Sequence, residues 1–185
     1  MKPISQFKYW QLSMFSKPVC DRAVYKTIKK NRVTSIVEIG IGDGTRATNC
    51  IRLAHKYAAS PDSIRYTGVD LFEGRTDGPH IPLRTAHKQF NQLGARVRLV
   101  PGDLSCSIPT IANAHVRTDL IIISGDYRDE DLESTWFYLP RMLHAGSTVL
   151  IQKAGQQESA FSAYSRLDVE RLANESRTRR EKAAA

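Results

Sequence analysis

The sequence predicts an α/β protein built on a parallel sheet. Five short apolar runs lie between residues 35 and 151, each of strand length. Amphipathic stretches long enough for crossover helices separate them. The run Leu120-Ile121-Ile122-Ile123 is apolar at every position, as in a strand covered on both faces.

Residues 18–30 predict a helix ahead of the first strand. Ser35-Ile36-Val37-Glu38-Ile39 reads as a buried strand that runs into glycines. Ala47, Ile51, Ala54 and Ala58 then recur at helical spacing within 45–59, and Pro61 stops that helix. Residues 64–69 form the second strand. Leu83, His87, Phe90 and Leu93 mark a helix closed by Gly94. Val97-Arg98-Leu99-Val100 is the third strand, followed by a short helix after Asp103. Residues 119–123 make the fourth strand. Asp129, Glu130 and Asp131 then open a helix whose apolar face is Leu132, Trp136, Leu139 and Leu143. Pro140 lacks an amide donor and should kink or divide that helix near Leu139. Gly146 ends it, and Thr148-Val149-Leu150-Ile151 is the fifth strand. Beyond it, Phe161, Tyr164, Leu167 and Leu172 suggest one amphipathic helix, and residues 177–182 read as a disordered tail.

The 185 residues fit a single domain, and 41% hydrophobic with 25% charged residues excludes a disordered or collagen-like chain. No apolar run approaches the ~18 residues of a membrane span, and Lys8, Gln11 and Ser13 interrupt any secretory core near the start. The expectation is a soluble cytoplasmic protein without a membrane partner. Cys20, Cys50 and Cys106 have no C-x-x-C spacing, which argues against a disulfide scaffold or cysteine-based zinc site.

Charge is uneven. Residues 1–34 hold eight Lys/Arg and one acid, whereas residues 35–165 hold 13 basic and 14 acidic residues. The basic segment reads either as an electrostatic arm for a polyanion or as a solvated helix with lysines on its wet face.

Val37-Glu38-Ile39-Gly40-Ile41-Gly42-Asp43-Gly44-Thr45 is the most informative segment. Glycines between a first strand and helix allow positive φ and close approach of a ligand. The dinucleotide pattern G-x-G-x-x-G fails at Thr45, and the Walker GK[ST] ending is missing. Glu38 and Asp43 would repel a pyrophosphate and favour a cationic ligand.

This E-x-G-x-G-x-G arrangement resembles the class I S-adenosylmethionine-dependent methyltransferase family, across roughly residues 35–153. Further matches follow it. Gly68-Val69-Asp70 ends the second strand where family members place an acid for the ribose hydroxyls, and Pro101-Gly102-Asp103-Leu104 looks like the adenine-edge segment. Residues 119–127, ending Ser124-Gly125-Asp126-Tyr127, look like the strand and loop facing the methyl group. Residues 139–147 resemble the family's L-x-P-G-G approach to the fifth strand, with Ala145-Gly146 replacing the glycine pair.

The resemblance implies a Rossmann-like doubly wound sheet of five parallel strands in the order 3-2-1-4-5. The family's C-terminal antiparallel strand pair should be reduced or absent, since residues 152–185 are poor in β-branched residues. A shortened sheet leaves an edge that a homodimer partner or the terminal helix could cover. The expected division is a basic N-terminal helical segment (1–34), an S-adenosylmethionine-binding domain (35–153) and a C-terminal helix and tail (154–185). Glu38, Gly40, Ile41, Gly42, Asp43, Gly44, Asp70, Leu71, Gly102, Asp103, Leu104 and Ser124 become the implied cofactor contacts. Alone, Asp70 could be a strand-end surface residue, Asp103 a helix N-cap, and Asp126 the start of an acidic helix entry. Together they fall at the carboxyl ends of successive strands, where open α/β sheets bind ligands.

For chemistry, Asp126 is the first candidate for acceptor positioning or base work, with Tyr127 as an orienting group and His80 as a further base candidate. His55, His87, His115 and His144 read as structural. Base-amino methyltransferases carry [DN]-P-P-[YF] where this chain has Ser124-Gly125-Asp126-Tyr127. Catechol-type relatives bind magnesium through an Asp-Asn pair where this chain has Gln152-Lys153, so no catalytic metal is expected. The leading expectation is O-methylation of a small molecule. Competing readings are a catalytically degenerate cofactor-binding interaction domain, and an RNA methyltransferase gripping phosphates through Lys26, Lys29, Lys30 and Arg32.

Overall fold

The computed structural model describes residues 4–60, 63–76, 78–124, 127–152 and 160–183. Two helices, α1 (Gln6–Phe15) and α2 (Asp21–Asn31), precede β1 (Ser35–Ile39). Then follow α3 (Thr45–Tyr57), β2 (Arg65–Asp70), α4 (Leu83–Asn91), β3 (Arg96–Pro101), α5 (Leu104–Ala112) and β4 (Thr118–Ile123). The chain continues through α6 (Asp129–Thr135), α7 (Leu139–Met142), β5 (Leu143–Ile151), β6 (Ser162–Ser165) and α8 (Arg166–Ala183).

The sheet order is β3-β2-β1-β4-β5-β6, with the first five strands parallel and β6 antiparallel to β5. Glu38 pairs with Gly68 on one side and Ile122 on the other, so β1 is central and its end faces those of β2 and β4. Alternation along β4 divides the core. Leu120 and Ile122 join Val24, Ile28, Ile51, Tyr66 and Phe90 on one face. Ile121 and Ile123 join Val69, Ile108, Ile111, Met142 and Val149 on the other. A strand buried on both faces needs no polar alternation, which explains the unbroken isoleucine run.

The helix expected across 129–143 is two helices, with Pro140 in the first turn of the second, where its missing N–H is harmless. β5 begins earlier than its apolar run suggests: Leu143 pairs with Thr118 and Thr148 with Leu120, and the intervening residues bulge.

The C-terminal region differs from expectation in two ways. Ser162–Ser165, read as helix from Phe161 and Tyr164, is the edge strand β6. Residues 177–182, read as disordered, continue α8. A Ser-x-x-Asp capping box starts that helix: the Ser165 amide donates to Asp168 Oδ2 at 2.9 Å, and the Asp168 amide to Ser165 Oγ at 3.3 Å. Arg166 with Glu170 (2.6 Å) and Arg177 with Glu181 (2.9 Å) form i,i+4 pairs along it, and Arg179 reaches Glu133 of α6 at 3.2 Å. Among the described residues, the antiparallel pair that the resemblance implies is represented by one short strand, braced by Val169 on the inner side of α8.

Candidate functional site

β1, β2, β3 and β4 all end on one rim, and the turns leaving them build a cleft. Gly40 leaves β1 with φ +83°, and its amide donates to Val69 O at 2.9 Å. A Cβ at Gly40 would stand 2.1 Å from Ser124 O, so the loop lies against the end of β4 at a distance only glycine allows. Asp70 is buried at the end of β2. Its Oδ2 accepts the Gly42 amide at 2.9 Å, tying the glycine loop to the second strand, and its Oδ1 faces Arg75 Nε at 3.4 Å. Gly102 follows β3, its amide donating to Asp70 O at 3.0 Å, and a Cβ there would meet Ser107 Oγ at 2.7 Å. Asp103 caps α5 through Oδ1, which accepts the Cys106 amide and the Ser105 hydroxyl, each at 2.8 Å. The Cys106 amide and that hydroxyl hold its carboxyl below the usual aspartate value, so it is charged at neutral pH.

Two cavities share this rim. One is narrow, about 30 Å³, between Asp70, Leu71, Arg75, Gly102, Asp103, Leu104 and Tyr127. The other, about 580 Å³, lies over the glycine loop and is bounded by Lys17, Pro18 and Asp21 as well as Ile41, Gly42, Asp43 and Pro79. Gly40 and Ser124 belong to both walls.

No protein-family model matches the chain, and no curated protein sequence matches it significantly. Solved structures do match in fold. The calicheamicin methyltransferase CalS11 superposes with a TM-score of 0.58 at 17% identity, over 84% of this chain and 68% of that one. A Staphylococcus aureus protein assigned as a caffeoyl-CoA O-methyltransferase gives 0.53 at 14% identity, over 86% and 72%. The Podospora anserina methyltransferase PaMTH1, solved with S-adenosylhomocysteine, gives 0.50 at 16% identity, over 82% and 63%. The chain has the class I methyltransferase fold.

Within that fold, Gly40, Asp70, Leu71, Gly102, Asp103, Leu104, Ser124 and Tyr127 meet around the narrow cavity, while Ile41, Gly42 and Asp43 line the larger one. Gly44 caps α3 behind the loop. Asp43 turns back on the chain, its two oxygens accepting the Thr45 amide and hydroxyl at 2.9 Å each. Tyr127 does not offer a free hydroxyl, which donates to Gln152 O at the end of β5; burial raises its pKa. His80 is exposed near Gly78 O (3.4 Å); its neighbour Pro79, not His80, lines the larger cavity. Asp126, Gly125 and Lys153 lie outside the described residues. Among the described residues no group of three His, Cys, Asp or Glu could hold a metal ion.

Glu38 occupies a different setting from the one its place beside the loop suggests. It is fully buried, Oε1 accepting Arg46 Nε at 2.7 Å and Oε2 the Tyr66 hydroxyl at 2.7 Å. Arg46 also donates to Asp21 Oδ1 (3.3 Å), Gly40 O (2.7 Å) and Ser124 Oγ, and its guanidinium stands 5.7 Å from the Phe161 ring centre. One side chain from the first turn of α3 therefore joins α2, β1, the glycine loop and the end of β4. Burial pushes the Glu38 and Asp21 carboxyls upward, against the pull of Arg46. Burial works against the charge on Arg46 too, but Glu38 and Asp21 outweigh it and raise its pKa.

Arg46, Asp21, Tyr66 and Arg75 were not legible as site residues. Glu38 and Arg46 are eight positions apart on different elements, a spacing with no periodic signature, and Asp21 comes from the preceding helix.

The residues at the rim fit a nucleoside carried on a sulfonium. A buried carboxylate at the end of β2 stands beside a glycine-rich loop, and at Gly102 the backbone packs so close to Ser107 Oγ that a Cβ would lie 2.7 Å from it. The narrow cavity admits little more than a water molecule, and the Arg75 guanidinium stands at the Asp70 carboxylate in its wall.

Proposed function

We propose that the protein is an S-adenosylmethionine-dependent methyltransferase acting on an oxygen of a small-molecule acceptor without a catalytic metal. The observation that carries this reading is the meeting of Asp70, the Gly40 loop and the Gly102-Asp103 turn at the carboxyl ends of three adjacent strands. When bound, S-adenosylmethionine supplies a methyl group activated by its sulfonium for in-line displacement. Asp70 would accept the ribose hydroxyls in place of the Arg75 guanidinium, each charge-assisted bond contributing about 1.5–3 kcal/mol. Asp103, charged and held by its own cap, would accept an amino group at the adenine edge, with Leu71 and Leu104 against the ring. Asp43 and Asp21 present carboxylates in the wall of the larger cavity, which suits the cationic end of the donor. Glu38 serves as a positioning residue: it fixes Arg46, which holds the carbonyl of Gly40.

The larger cavity would hold the acceptor, and its partial closure by Lys17 and Pro18 would exclude water. Asp126, three positions after Ile123 in the sequence, is the proposed base, Tyr127 a positioning residue through Gln152 and His80 a subsidiary base candidate. On this reading residues 35–153 form the cofactor-binding unit, with 1–34 and 154–185 flanking it.

Calorimetric titration with S-adenosylhomocysteine tests the reading. Wild type should bind, and Asp70→Ala should weaken binding at least about tenfold. Absence of heat with wild type, or unchanged affinity in the variant, overturns it. Transfer of a labelled methyl group to a panel of hydroxylated small molecules then separates turnover from binding alone.

A further inference from the structure

α1 is apolar on both sides. Leu12 and Ser13 are buried and Tyr9 packs toward the core, the expected inner face of a helix lying on α2. The outer face should be polar. Instead it carries Phe7 (70% exposed), Trp10 (50%), Met14 (47%) and Phe15 (60%). The rings form one group, with Phe7 to Trp10 centroids 5.9 Å apart and Trp10 to Phe15 5.0 Å. Of the nine large hydrophobic side chains exposed among the described residues, five fall within residues 7–19. Single exposed hydrophobics are ordinary, whereas a contiguous group marks a surface that something covers.

Charge identifies the cover. Residues 1–34 contain eight Lys/Arg, and the sole acid, Asp21, is buried against Arg46. Lys8 sits on α1 beside the aromatic group and Lys17 follows its end, both exposed. Lys29 of α2 lies 4.5 Å from the Tyr9 ring centre. A second copy of the chain would bring cations onto cations, which isologous pairing cannot relieve. Aromatic and thioether side chains rimmed by lysines match instead the boundary of a bilayer, where rings enter the headgroup region and ammonium groups meet anionic lipid.

We propose that the outer face of α1 is a docking surface for an anionic lipid bilayer. This is association in the plane of the surface: no helix of the described residues is long and apolar enough to cross a membrane. Because Lys17 and Pro18, directly after α1, bound the larger cavity, docking would hold that cavity close to the lipid. The proposal is independent of the methyltransferase reading.

Co-sedimentation with vesicles tests it. The protein should bind vesicles of phosphatidylcholine and phosphatidylserine mixed about 3:1, bind phosphatidylcholine vesicles far more weakly, and lose binding as salt is raised. The double variant Phe7→Ser/Trp10→Ser should bind the mixed vesicles about tenfold more weakly or worse while keeping its cooperative thermal transition. In wild type, Trp10 fluorescence should shift to the blue on adding mixed vesicles; Trp136, the other tryptophan, is buried and is replaced by phenylalanine as a control. Wild type that stays in the supernatant with no blue shift overturns the proposal. So does sedimentation equilibrium showing a dimer that the double variant dissolves, since the face then belongs to a second copy.

Discussion

Replacing Arg46 with methionine removes a guanidinium while keeping a long, unbranched side chain. It deletes four donated bonds, to Glu38, Asp21, Gly40 O and Ser124 Oγ, and leaves Glu38 with the Tyr66 hydroxyl alone. Removing one partner of a buried ion pair destabilises by about 3–5 kcal/mol, because the remaining charge has neither water nor a counter-ion. Against a total of about 5–15 kcal/mol, that is about a fifth of the fold's stability or more. With an m-value of about 2 kcal/mol/M, the urea midpoint should fall by about 2 M at neutral pH. The pH dependence follows from the sign of the shifts. Burial raises Glu38 and Asp21 even with Arg46 present, and without it the rise is larger. Between the unfolded and folded pKa values the folded state then holds more protons than the unfolded chain. Its stability therefore falls as pH rises, by up to about 1.4 kcal/mol per pH unit for each carboxyl. The deficit relative to wild type should be widest near pH 7 and narrow toward the ordinary carboxylate range. Urea titrations at about pH 5, 6 and 7 read this directly. A deficit under about 1 kcal/mol at pH 7, or one that does not change with pH, would refute the view that Arg46 balances two buried carboxylates.

Gly40→Ala places a methyl group 2.1 Å from Ser124 O at φ +83°, so β1 and β4 must part at their ends. We expect about 3 kcal/mol or more of lost stability in urea, and no binding of S-adenosylhomocysteine in whatever remains folded. Arg75→Ala removes the group paired with Asp70 in the narrow cavity, and should raise the affinity for S-adenosylhomocysteine severalfold by calorimetry; a loss of affinity would mean Arg75 holds the ligand. Partial burial alone would push Asp119 up, but the amides of Thr34 and Ser35, the Thr34 hydroxyl and His144 outweigh it and hold its carboxyl below the usual value. Its stabilisation is therefore complete above the unfolded pKa and vanishes as pH falls through the folded one. Asp119→Ala should destabilise by about 1–3 kcal/mol at pH 7 and by progressively less under acid, measured by thermal melting.

The sheet and its glycine loop were legible because each strand is a short apolar run and each corner carries a glycine or proline. Alternation along Leu120-Ile121-Ile122-Ile123 is invisible in sequence when both faces are buried, yet the bounded length of the run still marks a strand. The terminal helices were harder for opposite reasons. α1 has apolar residues all around its axis, so no helical period emerges from Phe7, Tyr9, Trp10, Leu12 and Met14. α8 is too polar to show one beyond its first turns, and its order comes from i,i+4 ion pairs and the Ser165-Asp168 cap. The cap was a readable signal; the packing of Ser162–Ser165 on β5 was not, since four small and polar residues carry little strand preference. Gly40 directly after β1 and Asp70 at the end of β2 are positions that strand boundaries define, and these are readable from spacing. The partnership of Glu38 with Arg46 is a tertiary contact between two elements, and only the fold brings it together.

Ser124 stands in the partition between two chambers and receives Arg46 on its hydroxyl. With Gly40 it is shared by both walls, so a ligand that displaced it from either side would change the other chamber, and thermodynamic linkage would make that influence mutual. If a nucleoside in one shifts Ser124 so that a guest in the other binds tenfold better, about 1.4 kcal/mol of coupling, the guest must favour the nucleoside by the same factor. Ser124→Ala, which removes the hydroxyl that receives Arg46, should then weaken the coupling between the two chambers.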